Sequence, residues 1–179
     1  MTGLKLHLLG LVALFALLSQ TQLLHSSAEI GSISEVRGNA QVLRDKPYGA
    51  ELKFNIQQMD DVRTEAGRVA ITFEDESTVK LTEHSKLVID EYIYDPDPSK
   101  SKMALKFASG TARFITGKFN NKEGISIRTP SADIAIRGTD FTCTVDELGR
   151  SLVILLPDEN GLSSGEILVS TAMGSVTLN

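Results

Sequence analysis

The sequence predicts an all-β domain, either a short β-solenoid or a sandwich-like stack of short strands, preceded by a signal-peptide helix. Three observations favour this fold class. Apolar residues recur at every second position along most of the chain after residue 28. Clusters of Pro, Gly, Asp and Asn interrupt these runs at intervals of roughly 8–12 residues. No stretch after residue 28 keeps a helical period of about 3.6 residues over three turns.

The first 28 residues have the organisation of a secretory signal peptide. Lys5 supplies a positive charge, and the apolar run 6–18 follows it. Ser26-Ser27-Ala28 then places small residues at the positions that a signal peptidase recognises. We therefore expect cleavage after Ala28 and a mature protein in the periplasm or secreted from the cell.

An uncleaved membrane anchor is the alternative interpretation of this segment. A helix of the 13 residues 6–18 would reach about 20 Å, whereas the hydrocarbon core of a bilayer is about 30 Å thick. We therefore expect two parts, a signal peptide at 1–28 and one β domain at 29–179, with no stable membrane span after cleavage. The second part is long enough to bury a sizeable core.

The alternating runs define the expected strands, and turn-forming residues separate them. Glu74-Asp75-Glu76-Ser77 predicts a tight hairpin connection, and 95–99, 120–124 and 157–161 predict surface loops. Residues 62–71 and 127–136 share four identities in ten positions, which suggests stacked structural units. The expected strands lie at 32–36, 40–44, 69–73, 78–82, 86–90, 103–108, 111–115, 125–128, 133–137, 141–145, 152–156, 166–169 and 175–178.

Charge and composition disfavour several classes of function. Cleavage would leave 17 basic against 23 acidic residues, a net charge of −6 without a basic cluster, which argues against nucleic-acid binding. His84 and Cys143 are the only histidine and cysteine after residue 28. A zinc site normally takes several ligands from these residue types, and a Ser-His-Asp or Cys-His mechanism would have to use His84 as its base. Asp158 and Asn160 form only a fragment of a calcium loop. We expect no catalytic residue, metal or cofactor.

His84 and Cys143 have plain structural interpretations. His84 lies in a polar turn between two expected strands, so we expect it to be solvated. Cys143 shares the apolar face of an alternating run with Phe141 and Val145, so we expect a buried core residue.

The most unusual segment is 128–141. Pro130 fixes its own φ and favours an extended conformation at Thr129. Gly138 interrupts an alternating run, which indicates a bend into the next strand. We expect a structural corner braced by a bridge between Arg137 and Asp140. A role in binding a partner is the alternative for this segment.

The same segment resembles the signature of the FecR domain family, commonly written TP-x-a-x-x-a-V-R-G-T-x-F. The matching stretch is Thr129-Pro130-x-Ala132-x-Ile134-Ala135-Ile136-Arg137-Gly138-Thr139-x-Phe141. Residues 60–73 resemble an upstream stretch of the family, and 74–81 resembles its DGS-x-v-x-L turn, with Glu76 in place of the usual glycine. The resemblance covers about residues 30–145, and its motif residues are Thr129, Pro130, Arg137, Gly138, Thr139 and Phe141.

The resemblance implies a periplasmic, largely β module with a solenoid-like motif. Founding members of the family lie in the inner membrane and relay the state of an outer-membrane siderophore receptor to a cytoplasmic sigma factor. Their cytoplasmic helical segment has no counterpart in the few residues before the apolar run, so we expect the module without that circuit.

Three functions follow as candidates. The first is a non-enzymatic periplasmic or secreted module that binds another envelope protein or senses envelope state. The second is a membrane-retained regulator of siderophore-iron transport. The third is a carbohydrate- or peptidoglycan-binding β domain, which the absence of Trp disfavours.

Overall fold

The structure is a computed structural model that describes residues 29–118, 124–158, 160–162 and 165–179. Within these ranges the chain forms 13 β-strands and one short 3-10 helix, so the all-β prediction is confirmed. The expected signal-peptide helix, the cleavage site and most of the 120–124 loop lie outside the described residues. No helix in the described ranges is long and apolar enough to cross a membrane.

The strands form one connected sheet, and the 3-10 helix, Pro98–Lys100, lies in the predicted 95–99 loop. The strands are β1 (Glu29–Leu43), β2 (Pro47–Gly49), β3 (Asn55–Gln57), β4 (Asp61–Phe73), β5 (Thr78–Leu81), β6 (Lys86–Ile93), β7 (Lys102–Ile115), β8 (Ile125–Arg128), β9 (Asp133–Arg137), β10 (Asp140–Val145), β11 (Ser151–Leu155), β12 (Glu166–Thr171) and β13 (Gly174–Leu178).

Two strands, β1 and β7, each join two strands that the sequence pattern predicted separately. The expected strands 32–36 and 40–44 are both parts of β1, and 103–108 and 111–115 are both parts of β7. Pairing continues through the apparent breaks because Gly38 and Gly110 adopt φ values of +68° and +92°, which residues with side chains rarely adopt. A glycine therefore bends each strand without ending it.

The long strands β4 and β7 bend so far that both of their ends pair with the same two neighbours. β4 pairs with β6 at its start and with β5 at its end, and β7 pairs with the same two strands. These four strands therefore form a closed circuit of pairings. The rings of Phe73, at the end of β4, and Tyr92, near the end of β6, stack 5.4 Å apart. If β4 and β6 were straight, these rings would lie about 50 Å apart.

The far edge of β7 carries two branches. Its first half pairs in parallel with β8, from which β9, β12 and β13 follow. Its second half pairs antiparallel with β10, from which β11 follows. The solenoid prediction is not confirmed, because the two similar segments have different structures: 62–71 lies within β4, whereas 127–136 spans β8, a turn and β9.

One hydrophobic core receives the inward-facing residues of most strands. Phe114 stacks on Phe141 with ring centroids 5.1 Å apart and meets the edge of Phe107 at 5.9 Å. Cys143 is fully buried among these side chains, as predicted, and burial raises the pKa of its thiol to about 11. The largest fully buried side chains are Phe107, Phe141, Ile33, Ile56, Ile71, Leu81, Leu87, Ile89, Met103, Leu105, Ile127 and Ile134.

The bend at Gly110 generates a stability prediction. A Cβ at this position would lie 2.5 Å from the Cα of Ser85, and the positive φ is strained for any residue with a side chain. We expect Gly110→Ala to lower the free energy of unfolding by more than about 2 kcal/mol, measured by urea denaturation.

Gly49→Ala is the matched control, because a Cβ there meets nothing within 4 Å. This control should stay within about 0.5 kcal/mol of the parent protein. Equal urea midpoints for Gly110→Ala and the parent would contradict the assigned bend.

Candidate functional site

The first part of the family motif closes the turn between β8 and β9. The Thr129 hydroxyl donates to the Ala132 carbonyl at 3.0 Å, and the Ala132 N–H donates to Thr129 Oγ1 at 3.0 Å. The Ser151 hydroxyl donates to the same Oγ1 at 2.7 Å. The buried Thr129 therefore ties this hairpin to the start of β11.

The second part of the motif turns the chain from β9 into β10. Gly138 has φ +54°, so the bend predicted there is confirmed. The Thr139 N–H donates to Thr116 Oγ1 at 2.7 Å, and the Thr116 N–H and hydroxyl donate to the Thr139 carbonyl at 3.1 and 3.0 Å. These bonds attach the turn to the end of β7.

The structure places the two parts of the motif at opposite ends of β9. A strand of this length separates Thr129 and Pro130 from Gly138 and Thr139 by about 17 Å. The predicted single corner is therefore two separate turns. The five-residue strand between the two turns is the one that the sequence predicted at 133–137.

The predicted bridge between Arg137 and Asp140 is wrong. Asp140 binds Arg113 instead, with Arg113 Nε donating at 2.8 Å and Nη2 donating to the second carboxylate oxygen. The reason is that Gly138 carries the chain to β10, where Asp140 and Arg113 are diagonal neighbours on one face of the sheet. Arg137 remains on β9, opposite Glu166, with an exposed side chain.

The six motif residues divide into a buried and an exposed set. Thr129, Thr139 and Phe141 are buried, and Phe141 belongs to the aromatic stack of the core. Pro130, Arg137 and Gly138 lie on the surface. The motif thus fixes two turns and part of the core.

Two acidic residues that lie between strands are fully buried. Asp60 accepts hydrogen bonds from Arg44 Nε at 2.7 Å, Arg44 Nη2 at 2.8 Å and the Gln57 N–H at 2.8 Å. The hydrogen bond with Asp60 raises the pKa of Arg44, whose guanidinium also lies over the rings of Tyr48 and Phe54. This cluster joins the end of β1 to the start of β4.

Asp75 is the second buried acid, in the 74–77 hairpin turn that the sequence predicted. Its carboxylate accepts hydrogen bonds from the Tyr92 hydroxyl at 3.2 Å, the Ser77 N–H at 3.3 Å and the Ser77 hydroxyl. Burial, and then the nearby Asp75 charge, raises the pKa of Tyr92. Glu76, at the position of the usual glycine, adopts φ +68°, the conformation that glycine favours.

The candidates for chemistry lie apart from one another. His84 is exposed in the turn between β5 and β6, as predicted, and Cys143 is buried in the core. The part of the chain that the structure describes contains no group of three or more His, Cys, Asp or Glu side chains placed to hold a metal ion.

A groove between β11 and β13 was not predicted from the sequence. It has a volume of about 570 Å³ and is lined by 153–157, Gly161 and 177–179. Both strands are edges of the sheet in the described residues, since β11 pairs only with β10 and β13 only with β12. The apolar alternation of 152–156 signalled a strand, but nothing in it revealed that the strand lacks a second neighbour.

Comparison with known families identifies the chain. The family model described as FecR protein matches residues 60–177, from the start of β4 into β13. The chain belongs to the FecR family, and the resemblance seen in the sequence is confirmed. Membership suggests a signalling or regulatory role. Comparison with curated proteins and with solved structures finds no match.

The turn at Gly138 generates a second prediction. A Cβ there would meet nothing within 4 Å, so any cost of substitution comes from the positive φ alone. We expect Gly138→Val to lower the free energy of unfolding by about 1–2 kcal/mol. Gly138→Asn is the control and should cost less, because Asn tolerates this conformation. Equal urea midpoints for the two variants would contradict this account.

Proposed function

We propose that this chain is a non-enzymatic FecR-domain module, exported to the periplasm or secreted, that binds another protein of the cell envelope. The observation that carries the proposal is the family match over residues 60–177. The signal-peptide pattern of residues 1–28 supports export. Binding would couple envelope state to a regulatory response, in keeping with the family.

Two surface features support a binding role. Among the described residues, β11 and β13 each have one unpaired edge, and an open edge can accept an extended segment of another protein as an added strand. A second exposed surface lies where β6 ends and the 95–101 loop begins, since Ile93 and Tyr94 are each more than 40% exposed there. Such surfaces suit protein recognition without any catalytic group.

A membrane-retained regulator of siderophore-iron transport is the second candidate function. Family membership favours it, because founding members act in that process. It requires that residues 1–28 remain attached as an anchor, whereas the proposed module requires their removal.

Mass spectrometry of the N-terminus in fractionated cells separates these candidates. We expect a mature chain that begins at Glu29, recovered from the periplasm or the medium, because Ala28 ends the signal-peptide pattern. An intact chain that begins at Met1 and is confined to the membrane fraction would support the retained regulator and contradict the proposal.

The binding role has its own test. Affinity capture with the mature chain as bait should recover one specific envelope protein, with the Gly110→Ala variant as a bait of impaired fold. Recovery of the same proteins by both baits, or of none, would contradict a specific interaction module.

A further inference from the structure

We propose that a second copy of this chain pairs with β11, so that the two β11 strands run antiparallel about a twofold axis at Val153. The proposal goes beyond the proposed function. It assigns the β11 edge to self-association and leaves the 95–101 loop for other proteins.

The backbone of β11 has the hydrogen-bonding pattern that this pairing needs. The Leu156 N–H donates to the Asp140 carbonyl at 2.9 Å, and the Arg150 carbonyl accepts from the Asp146 N–H at 3.0 Å. Even-numbered residues of this segment therefore direct their backbone groups toward β10. Ser151, Val153 and Leu155 direct theirs to the open side, since these directions alternate along a strand.

Only one register joins all three outward-facing residues to each other. With Val153 opposite its own copy, Ser151 lies opposite Leu155 of the second chain, and each such pair exchanges two hydrogen bonds. Because the arrangement is symmetric, the same patch serves both chains, which is the usual form of a homodimer interface. A register shifted toward the end of the strand would place Pro157, which has no N–H, in the ladder.

The side chains of β11 match their own symmetry copies. In this register Leu152 faces Ile154 of the second chain on the outer side of the sheet, where the two side chains are 59% and 48% exposed. Val153 and Leu155 line the groove on the inner side. The pairing would cover both apolar sides of the edge.

The β11 edge lacks the features that usually prevent such pairing. Edge strands are commonly protected by Lys, Pro or a bulge. Residues 151–155 contain no charged residue and no proline, and the pairing of β11 with β10 shows no register shift. By contrast, the edge strand β2 has only three residues and begins with Pro47.

Charges at the two ends of β11 are complementary in this arrangement. Arg150 precedes the strand, with a side chain that is 77% exposed beside Asp146. It would lie one diagonal step from Asp158 of the second chain, within reach of a long side chain. The N–H groups of Leu162 and Asn160 bind the Asp158 carboxylate, and these bonds lower its pKa, so it is ionised at neutral pH.

Sedimentation velocity over a wide concentration range tests the dimer. The mature chain, residues 29–179, should associate reversibly, and Ile154→Lys should abolish association by placing a charge opposite Leu152 of the second chain. Leu52→Lys is the matched control, because Leu52 is 59% exposed between β2 and β3, outside β11, and the substitution should leave association unchanged. Arg150→Glu should weaken association by about threefold to tenfold. Urea midpoints check that each variant folds.

Disulfide trapping tests the register without relying on a disruptive variant. Two copies of residue 153 would face each other with Cα atoms about 5.5 Å apart, within the range of a disulfide. Oxidised Val153→Cys should therefore form a covalent dimer, whereas Ser175→Cys on β13 should not.

Three outcomes would overturn the proposal. They are a monomer at every concentration, a dimer that Ile154→Lys and Leu52→Lys affect equally, and a covalent dimer of Ser175→Cys alone, which would assign the contact to β13. These measurements use only the purified chain, so they fail or succeed separately from capture of another envelope protein.

Discussion

The bend in the long strands is the constraint on which the rest of this structure depends. β1, β4 and β7 each carry an apolar face that a flat sheet would leave in water. Gly38 and Gly110 supply positive φ values, and Gly38 lies directly opposite Gly67 in the sheet. A Cβ at Gly67 would lie 2.5 Å from the Asn39 carbonyl oxygen, so the strands approach too closely there for any larger residue. The long strands can therefore fold over a single core.

The family motif stabilises two turns of this bent sheet. Thr129 ties the β8–β9 hairpin to β11, and Thr139 ties the β9–β10 turn to the end of β7. Phe141 then adds its ring to the stack with Phe114. These contacts hold the two branches that leave β7 against the core. In the described residues, β11 and β13 then form open edges of the sheet, which are the candidate binding surfaces.

Local features of the fold could be predicted from the sequence, and long-range ones could not. The alternation of apolar residues with period two predicted most strands, and turn-forming residues predicted the 74–77 hairpin and the bend at Gly138. The pattern could not show that strands continue through Gly38 and Gly110, since a glycine marks a break or a bend equally well. It also missed that Asp140 binds Arg113, because that pair depends on which strand lies beside β10. The groove exists because β11 and β13 each lack a second neighbouring strand in the described residues, and the alternation of apolar residues within a strand does not indicate how many neighbours it has.

The folded-over sheet can be tested directly by nuclear Overhauser measurements between the rings of Phe73 and Tyr92. These residues lie at the end of β4 and near the end of β6, and the fold places their ring centroids 5.4 Å apart. The account predicts strong cross-peaks between the two rings in the folded protein and their loss in Gly110→Ala under conditions where that variant unfolds. The absence of such cross-peaks in a folded, well-resolved spectrum of the parent protein would contradict the bend and the core built on it.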